Sequence, residues 1–120
     1  METSSNKYIN LTYLKELSNG SNEFIYQMIT VFMEQTPDAV NSMEKYLNSK
    51  DWQALHAIAH KTKASFAFMG IKELKDVTCL VEEYSLNKTN LDQLPEMISK
   101  IKNVFLIALK ELEIEKKQFL

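Results

Sequence analysis

Between its punctuation marks the chain repeats apolar residues at intervals of three and four. No stretch of useful length repeats them at two. Leu74, Val77, Val81 and Tyr84 are spaced three, four and three. Ile98, Ile101, Phe105, Ala108 and Leu112 continue the pattern further on. That period belongs to helices with one buried face, and it leaves no room for a half-buried strand. The punctuation supplies the ends. Leu11, Leu14 and Leu17 make a short amphipathic piece, stopped at Ser18-Asn19-Gly20. Ser21 is placed to cap the next helix, with Glu23 in its first turn, and that helix is expected to run to about Gln35. Thr36-Pro37 reads as a cap followed by proline at the first helical position, so a further helix carrying Val40, Met43, Tyr46 and Leu47 is expected to start there. Asn48-Ser49-Lys50 breaks the pattern, and Asp51 caps a helix that Gly70 ends. Leu86 to Asn90 reads as a loop, and Pro95 marks the first turn of the last helix. The charged tail from Glu113 to Leu120 is expected to fray.

Connections this short make sequential helices pack antiparallel. The expected fold is all-α: an antiparallel up-down bundle of four long helices, with one short helix leading. Residues 1–120 are read as one domain, its core between about 8 and 112. With 2 Gly and 2 Pro there is little material for strands and turns, and none for a Gly-rich nucleotide loop. A net charge of −2 argues against a nucleic-acid surface, where a strong basic excess is expected. No apolar run is long enough to span a bilayer, and the first residues do not resemble a signal peptide. The expected setting is the cytoplasm, as a monomer or as the cytosolic part of a larger protein. Cys79 is the single cysteine, and the reading for it is a small core residue.

One helix carries a residue that its stripe does not explain. Successive residues turn ~100° about a helix axis. With His60 at zero, Leu55, Ile58, Ala59, Thr62, Phe66 and Met69 fall at roughly 160–260°. His60 therefore points away from the core. Its neighbours on the surface are Gln53, His56, Ala57, Lys63, Ala64 and Ala67. Three alanines keep the ground low around an imidazole, as a partner that must come close requires.

Three readings of His60 compete. A surface histidine with no task is the plainest. The second is metal, because His56 and His60 have the i, i+4 spacing of zinc ligands. No further histidine exists and no cysteine lies near, so two ligands do not make a stable site. The third is phosphoryl transfer, since a neutral imidazole nitrogen is a good nucleophile toward an activated phosphoryl group. An ordinary exposed imidazole, with a pKa of ~6.5, is about three-quarters neutral at pH 7. Lys63, one turn on, is placed to offset phosphoryl charge, while Lys61 lies further round and reads as a solvated charge. Thr62 faces the core, so its hydroxyl is expected to bond back to a backbone carbonyl.

The stretch His60-x-x-Lys63-Ala64-Ser65, with Gly70 closing the helix, resembles the histidine-containing phosphotransfer (HPt) domain of bacterial multistep phosphorelays. Asp51-Trp52-Gln53-Ala54-Leu55 and Ala59 resemble that family's lead-in, as does Leu11 to Gly20 followed by the helix from Phe24. The resemblance implies a phosphocarrier with no kinase activity and no cofactor of its own. His60 would be the phosphoacceptor and Lys63 its charge partner. The partners would be response-regulator receiver domains, which bring their own magnesium, and a hybrid sensor histidine kinase. On the helix wheel, and not by the resemblance, His56, Ala57, Ala64 and Ala67 are the expected docking ground, with His56 read either as a partner contact or as a second solvated imidazole. Tyr13, Ile25 and Ile29 are read as ordinary core, with framing of the His60 face as the alternative. The family often has Leu where Thr62 stands and Gly where Ala64 stands. The alternative is a helical adaptor that docks a receiver domain without accepting phosphate.

Overall fold

The computed structural model describes residues 6–120. These residues form five helices and two 3₁₀ turns, with no strand among them. The helices are α1 (Thr12–Ser18), α2 (Asn22–Asn48), α3 (Trp52–Phe68), α4 (Lys72–Asn87) and α5 (Leu94–Lys116). Helix α2 packs on α3 and α5, and α4 packs on the same two, so the long helices close a ring around one core. Leu14, Ile29, Met43, Leu55, Phe66, Leu74, Ile101 and Leu112 are fully buried there. Phe32 meets Phe66 and Phe105 edge to face, and those two rings are tilted against each other, all with centroids about 6 Å apart, which ties α2, α3 and α5 together. No described helix is long and apolar enough to cross a membrane.

Most ends lie where the sequence puts them. Ser21 Oγ accepts the N–H of Phe24 at 3.1 Å, and Asp51 Oδ1 accepts that of Ala54 at 3.1 Å. Thr36-Pro37 is the exception, because no new helix begins there and α2 runs straight through Pro37. The reason is the stripe Ile25, Ile29, Phe32, Thr36, Val40 and Met43, which is buried without interruption on both sides of the proline. Burial of both halves against the same neighbours outweighs one missing N–H, a loss that costs about 3 kcal/mol inside a helix. Pro37→Ala is therefore expected to raise stability by about 1–3 kcal/mol. An unchanged or lower urea midpoint would show that the proline is accommodated without cost.

Both ends of the described segment are fastened. The Glu111 carboxylate accepts the N–H groups of Lys7, Tyr8 and Ile9 at 2.8, 3.0 and 3.1 Å. The next residue, Asn10, donates its N–H to the Met69 carbonyl at 3.2 Å. At the other end the charged tail does not fray. Lys117–Phe119 folds as a 3₁₀ turn against α2 and buries Phe119. Lys15 and Lys116 ammonium groups stand over the Phe119 and Tyr26 rings, 5.9 and 5.6 Å from the centroids. One aromatic among many charges is what pins this tail.

Candidate functional site

Helix α3 presents His60. Leu55, Ala59, Thr62, Phe66 and Met69 are buried beneath it. The Thr62 hydroxyl donates to the Ile58 carbonyl at 2.7 Å, so a polar side chain sits in the core without an unmet bond. His60 faces out, its side chain 68% exposed. Ala57, Ala64 and Ala67 are exposed beside it, and Lys63 and His56 are half-buried.

Helix α4 supplies a residue that the sequence reading did not single out. Glu82, whose side chain is only 15% exposed, reaches across to α3 with both carboxylate oxygens. Its Oε2 lies 2.5 Å from His60 Nδ1, and its Oε1 accepts from Lys63 Nζ at 2.6 Å. Its backbone carbonyl lies 3.1 Å from His56 Nδ1. Three side chains of α3 thus converge on one residue of α4. A helical clue existed: Thr78, Glu82 and Ser85 recur at four and three, a polar series beside the Val77–Val81 stripe, and Thr78 and Ser85 are buried. What the sequence lacks is a way to tell which of Glu82 and Glu83 faces α3.

The electrostatics follow from this packing. Burial pushes the Glu82 carboxyl up, but the hydrogen bonds and charges of Lys63 and His60 outweigh it and hold it below the ordinary range. Glu82 is therefore an anion at neutral pH. The stability of its contacts is present above the unfolded-state pKa and is lost as pH falls through the lowered folded value. The hydrogen bond to Glu82 also raises Lys63 against the opposing effect of burial, so Lys63 stays an ammonium. An anionic carboxylate only accepts, so Nδ1 of His60 must carry the proton. In the neutral ring Nε2 is then the nitrogen that keeps its lone pair. Lys63 spends one donor on Glu82 and keeps two.

The other expected residues fall in different places. Ile25 and Ile29 are core. Tyr13 is half-exposed, its ring 5.8 Å from that of Phe68. Phe68 lines a cleft of about 150 Å³ between α2 and α3, with Met28, Val31 and Ile58 on its walls and Lys61 at its rim. Cys79, read as core, is exposed, because it lies off the Leu74–Val77–Val81 stripe. Among the described residues no group of three or more His, Cys, Asp or Glu side chains is arranged to hold a metal ion.

The crystal structure of histidine-containing phosphotransfer protein B (HptB) from Pseudomonas aeruginosa PAO1 superimposes on the chain with a TM-score of 0.85. The match covers 95% of this chain and 98% of that one at 21% identity, so it speaks to the fold. No curated protein matches the sequence. The family model for the Hpt domain matches residues 27–112, which take in α3, α4, His60, Lys63 and Glu82. On that match, the chain belongs to the Hpt domain family.

Proposed function

We propose that the protein is a histidine phosphocarrier of a two-component phosphorelay, taking a phosphoryl group from a receiver-domain aspartyl phosphate and passing it to another receiver. The observation that carries this reading is the pairing of an exposed His60 with Glu82, which accepts the Nδ1–H and so makes Nε2 the lone-pair nitrogen of the neutral ring. The Nε2 lone pair attacks phosphorus in line, the bond to the aspartyl oxygen breaks, and the aspartate leaves as a carboxylate. No proton needs to move. The ring keeps its Nδ1–H and becomes a cation, which the Glu82 carboxylate balances at hydrogen-bond distance. Lys63 turns its remaining donors to the phosphoryl oxygens. Magnesium belongs to the partner receiver, and the chain acts without a cofactor or kinase activity of its own.

The same reading makes residues 1–120 one domain, with α2 to α5 running up and down in an antiparallel four-helix bundle and α1 appended. Short connections between successive long helices support that order. The protein works as a cytoplasmic monomer, free-standing or joined to a hybrid sensor kinase. The docking ground is His56, Ala57, Ala64 and Ala67 with the α2–α3 cleft beside it. The test is incubation with a receiver domain phosphorylated on aspartate. The chain should acquire an acid-labile, alkali-stable label, as a phosphoramidate does, and a label stable to acid overturns the reading.

Two variants examine the parts. Glu82→Gln keeps an acceptor for His60 Nδ1–H but removes the charge, and a loss of a few-fold in transfer rate is expected. Glu82→Ala removes both, with a loss of about 10–100-fold, the usual effect of deleting a residue that orients a working histidine. Ring-nitrogen NMR separates positioning from mere stability: His60 should leave its single tautomer in Glu82→Ala and keep it in Glu82→Gln. Ala64→Glu should leave helicity and melting unchanged while cutting transfer at least tenfold, by the like charge it sets against an incoming phosphoryl group. Undiminished transfer in that variant removes the low ground from the site.

A further inference from the structure

Two imidazoles of α3 lean on one residue of α4. His56 Nδ1 faces the Glu82 backbone carbonyl at 3.1 Å, and His60 Nδ1 faces the Glu82 carboxylate at 2.5 Å. Neither acceptor carries a hydrogen, so both rings are protonated on Nδ1. In the neutral rings both Nε2 atoms then keep their lone pairs. The rings stack, with centroids 6.3 Å apart and planes 26° apart. The phosphocarrier reading uses only one of these two nitrogens.

We propose that His56 and His60 form a chelating pair for a borderline divalent transition-metal ion such as zinc, nickel or copper, and that the bound ion masks the His60 nucleophile. Spacing at i, i+4 puts both rings on one helix face. An ion about 2.0–2.1 Å from both Nε2 atoms at the tetrahedral angle brings the ring centres to about 5 Å. The ring centres stand at 6.3 Å with planes 26° apart, so the rings must swing toward each other to bring both Nε2 atoms onto one ion, a rotation open to the exposed His60 side chain. Metal-binding histidines need their other nitrogen held by a carbonyl or carboxylate, which fixes the tautomer and raises the basicity of the ligating nitrogen. Glu82 already provides one of each. With two protein ligands and water completing the shell, the site is open and exchangeable, unlike a closed structural zinc site. Magnesium prefers oxygen ligands and does not compete. Affinity should rise from nickel to copper and fall again at zinc.

The masking rests on the phosphocarrier reading, whereas the binding does not. Calorimetric titration of the intact chain with zinc chloride, and separately with nickel chloride, needs no partner. Wild type and Cys79→Ser should bind one equivalent alike, and His56→Gln and His60→Gln should each bind about tenfold more weakly or less. Absence of binding to wild type overturns the chelate. So does wild-type affinity in His56→Gln, or loss of binding in Cys79→Ser. Transfer from a phosphorylated receiver is then measured for wild type and His56→Gln as a ratio with and without zinc. Zinc should slow labelling of wild type at least several-fold more than that of His56→Gln, which also discounts zinc bound to the receiver. Equal slowing of the two overturns the masking, even where calorimetry upholds the chelate.

Discussion

Replacing His60 by glutamine should abolish labelling by a phosphorylated receiver, with a drop on the order of a thousandfold or more. The size follows from chemistry. Removing the nucleophile of a covalent step leaves only whatever slower group can substitute, and such losses are far larger than those from removing a contact. Glutamine is the informative choice. Its side-chain amide can donate to Glu82 as Nδ1–H does, so the anion is not orphaned. At 68% exposure the imidazole adds little to the core, and circular dichroism and melting should match wild type. The variant should still bind the receiver, because the alanine ground and the α2–α3 cleft are untouched. Binding without labelling then separates acceptance from docking, which the adaptor reading does not. His56→Gln is the companion variant. His56 also has a free Nε2, but its side chain is half-buried and its Nδ1 is bonded to a backbone carbonyl with no net charge to balance a ring cation. Label that persists in His60→Gln and vanishes in His56→Gln would move the acceptor by one helical turn. Equal labelling of wild type and both variants would exclude an imidazole acceptor altogether.

The helices were legible because their signals are local. A stripe at three and four needs only neighbouring residues to be read, as do the Ser21 and Asp51 caps. His60 was legible for the same reason, since its helix alone says which side it faces. Thr36-Pro37 misleads because its two signals conflict: the dipeptide favours a helix start, while the stripe from Phe32 through Thr36 to Val40 favours continuity. Tertiary burial decides between them, and burial is not written in the dipeptide. Glu82 is hidden in the sequence for a different reason. Its meaning lies in the register of α4 against α3, which sets whether a carboxylate reaches His60 or points to water. Phe119 belongs to the same class, an apolar residue whose partner on α2 is distant in sequence. What stays out of reach in such a chain is therefore the second half of each long-range pair.

Gly70→Ala should cost on the order of 3 kcal/mol, the largest loss of stability expected from adding a single methyl group. Gly70 closes α3 with φ +64, where an L-residue costs about 1–2 kcal/mol. A Cβ built there meets the Asn10 carbonyl oxygen at 1.9 Å and the Asn10 Cβ at 2.9 Å. Neither is the loose end of a flexible chain, so the segment before α1 has to move. Its movement breaks the bond from the Asn10 N–H to the Met69 carbonyl, worth about 1 kcal/mol, and strains the three bonds to Glu111 that anchor residues 7–9. Gly20 is the control within the same chain. Its φ is +86, yet nothing lies within 4 Å of a Cβ placed on it. Gly20→Ala should therefore cost only the backbone part, and the difference between the two variants in urea unfolding isolates the contact with Asn10. Equal costs would mean that the N-terminal segment gives way freely and does not brace the end of α3. A larger cost at Gly70 makes that glycine a structural residue. It fixes where α3 ends, two and a half turns beyond His60, while taking no part in the chemistry, so phosphotransfer by Gly70→Ala at a temperature where it remains folded should stay near wild type.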